Sequence, residues 1–114
     1  MDDRELLELA AYAAGLTMVQ QKPEYSYPIY HLQVSGANRQ FSWTPLQDNG
    51  MAFWLVVKLR LDIHPKGRGV EVWHFDSRTS SGIVEYRNDP YAATRRAVVI
   101  TAAAIGQSMK EQGE

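Results

Sequence analysis

Asp89-Pro90-Tyr91-Ala92-Ala93-Thr94-Arg95-Arg96-Ala97-Val98-Val99-Ile100-Thr101-Ala102-Ala103-Ala104-Ile105-Gly106-Gln107-Ser108-Met109 reads as one long helix. Asp89 is a good N-cap, and Pro90 suits the first helical position, where a missing N–H costs nothing. Val98, Val99 and Ile100 are consecutive, so apolar side chains spread around the helix instead of lining one stripe. A helix of that kind is buried on more than one side and acts as a spine for a sheet. Arg95 and Arg96 stand in its first two turns, where the macrodipole disfavours cations by roughly 0.3–1 kcal/mol. They call for a compensating group: Glu85, Asp89 or an acid of the first helix, or else an anionic partner surface.

Working back from the spine, Asp2 to Ala14 reads as a first helix. Asp2 and Glu5 have capping-box spacing, Leu6, Leu9, Ala10 and Ala13 form a stripe, and Gly15 supplies the stop. Its alanines suit close packing against a flat surface. Leu16 to Lys22 is short and ambiguous, an optional extended stretch that ends at Pro23. Pro28 to Val34 and Arg39 to Trp43 alternate with period two around the turn residues Ser35-Gly36-Ala37-Asn38, the pattern of a hairpin.

Asp48 then caps a second helix, Met51 to Arg60. Its apolar residues point all round, which predicts cover on more than one side. Leu61 to His64, Val70 to Phe75 and Ile83 to Arg87 read as three strands of a meander, and the final helix runs to about Met109 with a frayed tail. The expectation is a single α+β domain over residues 1–114. An antiparallel sheet carries packed helices as a layered sandwich, in the order α-β-β-α-β-β-β-α.

Composition narrows the function. The 114 residues are 45% hydrophobic, enough for one domain with a real core. The absence of cysteine excludes disulfides, thiolate zinc sites and a cysteine nucleophile. Met1-Asp2-Asp3-Arg4-Glu5 is acidic where a secretory signal is basic, and the longest apolar run, Met51 to Val57, is too short to span a bilayer. A cytoplasmic protein without a membrane partner is expected. The net charge of −1 argues against a general polyanion binder, although residues 55–96 hold eight basic and five acidic side chains.

Trp43-Thr44-Pro45-Leu46-Gln47-Asp48-Asn49-Gly50-Met51-Ala52, then Val57-Lys58-Leu59, then Ala93-Thr94-Arg95-Arg96-Ala97-Val98, resemble a group of small bacteriophage and prophage proteins of unknown function, the phage ABA sandwich domain. That resemblance implies an α/β/α sandwich and a phage or prophage accessory gene, acting in the host cytoplasm. It transfers no chemistry. Thr44 stands where the group has asparagine, and Met51 where it has the aspartate of Gly-Asp. The last five elements also resemble, in order, the α-β-β-β-α topology of double-stranded RNA-binding domains, a likeness that is a weak warrant for function.

No catalytic or metal constellation emerges. His64 and His74 fall on opposite faces of their hairpin, because pairing about Gly67-Arg68 sets His64 against Glu71 and His74 against Leu61; His31 lies far upstream. His74, Asp76, Ser77, Ser80 and Ser81 have the composition of a turn, without the strained elbow of a serine nucleophile. No enzyme activity, cofactor or metal is expected. The candidate anion or nucleic-acid contacts are Lys66, Arg68, Arg78, Arg95 and Arg96, and the candidate protein interface is Tyr25, Tyr27 and Trp43. The leading expectation is a phage accessory protein that binds a host or phage protein, as a modulator of host processes or defence, with self-association into a homodimer as a further form. The alternative is a nucleic-acid-binding module that uses the basic loop and the last-helix arginines.

Overall fold

A computed structural model describes residues 1–19, 32–36 and 39–113. The elements are α1 (Asp3–Ala13), β1 (Thr17–Met18), β2 (Leu32–Gly36), β3 (Arg39–Trp43), α2 (Asn49–Leu59), β4 (Leu61–Lys66), β5 (Gly69–His74), β6 (Thr79–Ser80), β7 (Val84–Glu85) and α3 (Pro90–Gly113). This is the α+β order read from the sequence, with the optional strand present as β1, a short added strand, β6, between Phe75 and Ile83, and the last strand of the meander shortened to β7. The strands make two antiparallel sheets. One is β1-β2-β3; the other runs β4-β5-β6, with β7 also paired to β5.

The caps explain where the helices begin. The Asp2 carboxylate accepts from Glu5 N–H at 2.8 Å, Asp48 from Met51 N–H at 2.9 Å, and Asp89 from Ala92 N–H at 3.1 Å. Gly15, at φ +79°, closes α1, while α2 ends on Arg60 in the left-handed region at φ 57°. The tail expected to fray stays helical to Gly113. Gln107 there donates to Glu111 at 3.2 Å, and Lys110 sits 5.1 Å from the centre of the Tyr12 ring.

α3 is the middle layer. On one side the buried Thr101 hydroxyl donates to the Val72 carbonyl at 2.8 Å, joining the helix to β5. On the other side Gly106 lies against α1 so closely that a Cβ would collide with the Leu9 carbonyl oxygen. The alanines of α1 therefore meet a helix, where a flat surface was expected. Two helix backbones approach this closely only where side chains are small, and Ala10, Ala102, Ala103 and Gly106 are all buried. Leu55, Val70, Val72, Val98 and Val99 complete the same core cluster.

The all-round cover expected for α2 is not found. Ala52 and Leu55 are buried, yet Phe53 is 67% and Val57 62% exposed, and Trp54 is also exposed. Among the described residues, no layer covers the apolar residues on the outer side of this helix.

Among the described residues, the four-stranded sheet is covered on one face only. Register places Ile63, Pro65, Val70 and Val72 toward the helices, and Asp62, His64, Glu71 and Trp73 on the opposite face. Its edge is blunted at β4, where Pro65 has no N–H to offer another strand.

Candidate binding face

The uncovered face of the four-stranded sheet forms an open groove of about 810 Å³, lined by Asp62, His64, Lys66, Glu71, Trp73, Phe75, Asp76 and Arg78. The two-residue alternation of β4 and β5 delivers the first five of these. The turn after β5 delivers the rest, with Arg78 held at φ 54°. Trp73 is half-buried at the centre, and Phe75 is 79% exposed.

Glu71 ties the floor together. Ser80 Oγ donates to its Oε2 at 2.7 Å, and Lys66 Nζ stands 3.9 Å from Oε1. The Ser80 hydrogen bond, then one from the Trp73 side chain, hold the Glu71 carboxyl below its ordinary value; desolvation opposes them, while Lys66 and His64 add in the same direction. Ser80 and Lys66 thus converge on the Glu71 carboxylate beside Trp73 in the same groove.

His74 and Ser77 do meet, as a serine-hydrolase reading would need, with Nδ1 and Oγ 2.5 Å apart. The contact spans three residues of one exposed turn, Ser77 N–H also points to the same Nδ1 at 3.3 Å, and the Ser77 hydroxyl reaches Thr79 Oγ1 at 2.7 Å. These bonds close the turn. His64 pairs with Glu71 and His74 with Leu61, the register read from the sequence. Among the described residues no three His, Cys, Asp or Glu side chains gather as metal ligands.

The five candidate cations do not assemble. Lys66 and Arg78 line the open sheet face, and Arg68 sits in the hairpin turn between β4 and β5. Arg95 and Arg96 belong to the helix layer on the other side of that sheet. Arg95 Nε donates to the Leu46 carbonyl and Nη1 to Asn49 Oδ1, both at 2.7 Å, pinning the entry to α2. Arg96 pairs with Asp3 of α1 at 2.7 Å, so an acid of the first helix compensates it. Of the interface candidates, Tyr25 and Tyr27 lie outside the described residues. Trp43 is a core residue, 1% exposed, and its indole N–H donates to the Leu7 carbonyl at 2.9 Å; its surface is closed to a partner.

The two departures from the phage wording touch each other: the Thr44 N–H and hydroxyl lie 3.2 and 3.4 Å from Met51 Sδ. Those positions brace the loop into α2. Sequence reasoning missed Trp73 and Phe75 as surface aromatics. The signal was present in the alternation of β5, which puts Trp73 on the face opposite Val70 and Val72, but strand periodicity does not say which face is covered. No family model matches the chain, and neither the curated proteins nor the solved structures hold a significant match. Among the described residues, no helix is long and apolar enough to cross a membrane.

Proposed function

We propose that the chain is a non-catalytic binding module whose open sheet face takes a protein partner. The observation that carries this reading is a half-buried Trp73 beside an exposed Phe75, framed by charges of both signs. Aromatic and arginine side chains dominate the energetics of protein interfaces, and an unsatisfied aromatic platform on a sheet is a natural anchor for them. Three carboxylates, Asp62, Glu71 and Asp76, face two permanent cations, Lys66 and Arg78, so the groove has no excess of positive charge. A phosphate backbone needs such an excess, and the separation of Arg95 and Arg96 from the groove weighs further for protein over nucleic acid. The resemblance of residues 43–109 to phage proteins supports a phage or prophage setting, in which the partner is a host or phage protein in the cytoplasm.

Capture on the tagged chain in a bacterial host tests this. The expected outcome is a protein retained through nuclease treatment by the wild type, and lost by the Phe75→Asp, Arg78→Glu double variant at unchanged thermal midpoint. Retention abolished by nuclease would move the reading to nucleic acid. Equal retention by the variant would remove the sheet face.

A further inference from the structure

α2 presents its most apolar side to solvent. At 100° per residue, Ala52, Leu55 and Leu59 share the core side, and Gly50, Phe53, Trp54 and Val57 share the opposite one. A helix on the surface of a monomer carries charge there; here the exposed side carries one charge, Lys58 in the last turn. Beside Phe53 the apolar surface continues into a groove of about 410 Å³ whose rim includes Ile63 and Tyr91, the latter 70% exposed. These side chains together expose on the order of 500 Å² of apolar surface. That is near the upper end of what a monomer leaves bare. With a polar rim it approaches the ~800 Å² that a stable association covers on each partner.

We infer that a second copy of the chain covers this face, with α2 packed antiparallel on its counterpart about a two-fold axis passing between Phe53 and Trp54. Charge favours a second copy. The charged groups of the helix and its caps are Asp48 at one end and Lys58 and Arg60 at the other, opposite in sign across the middle. Antiparallel pairing brings each Lys58 level with the other copy's Asp48 and opposes the helix dipoles; parallel pairing would set the two Lys58 side chains together. The same symmetry places Gly50 of one copy against Val57 of the other, small against branched, and Phe53 against Trp54. The surface is distinct from the open sheet face, which stays free in the dimer, so either reading can fail alone.

Sedimentation of the purified full chain, with no partner added, reads this out. The expected result is a concentration-dependent species of twice 12.9 kDa. Val57→Asp should raise its dissociation constant at least ~30-fold without changing the circular dichroism spectrum. The chain contains no cysteine, so orientation can be probed directly. Gly50→Cys and Val57→Cys proteins should form a disulfide with each other when mixed, and neither with itself, since the like positions lie about seven residues, roughly 10 Å, apart along the helices. A mass that stays at 12.9 kDa at every soluble concentration, a dimer indifferent to Val57→Asp, or self-cross-linking of either single variant would overturn the inference.

Discussion

At the residue scale, Glu71 makes a pH-dependent contribution whose sign follows from its partners. Its pKa is lowered in the folded chain, first by the Ser80 hydrogen bond and next by the Trp73 side chain. In the unfolded chain a glutamate titrates near about 4.3. The stabilisation is therefore fully present above that value and is lost as pH falls through the lower folded-state pKa. Denaturant midpoints measured from pH 7 downward should drop more steeply for the wild type than for Glu71→Gln, and the Trp73 emission should shift over the same interval. Parallel profiles would mean the network carries no linkage. Arg60 offers a second test. It ends α2 at φ 57°, a conformation that favours glycine, and it is exposed. Arg60→Gly should raise stability by about 0.5–1 kcal/mol, read as a higher thermal midpoint.

At the element scale, the fold hangs on the crossing of α1 and α3. Gly106→Ala forces a methyl into the Leu9 carbonyl, and should cost about 1–3 kcal/mol in chemical denaturation; a neutral substitution would show that the helices separate freely. Much of this architecture was legible beforehand because local chemistry set it. The carboxylates of Asp2, Asp48 and Asp89 start the three helices, and pairing about Gly67-Arg68 fixes the register of β4 and β5. The candidate face was less legible. Alternation sorts Trp73 from Val72, but which of the two faces water depends on where α3 packs, a tertiary fact. The same limit applies to Trp43, whose aromatic character fits a partner or a core equally until Leu7 is found above it. Phe53 and Val57 illustrate the reverse, since an apolar helix implies cover without saying whether the cover comes from the same chain.

At the scale of the whole molecule, covered and uncovered surfaces divide the work. α3 draws α1, α2 and one face of the four-stranded sheet into a single core; among the described residues, the outer side of α2 and the far side of the sheet carry no layer. Arg95 and Arg96, the conspicuous cations of the spine, serve that core by holding Leu46, Asn49 and Asp3. In the proposed function, recognition falls instead to the face around Trp73. A photo-cross-linking phenylalanine analogue placed at Phe75, with a control at the exposed Lys110 on α3, tests that claim most directly in living cells. The expected result is a discrete, nuclease-resistant protein adduct from position 75 and none from position 110. Adducts of equal yield at both positions, or none at 75 while the chain remains folded, would contradict it.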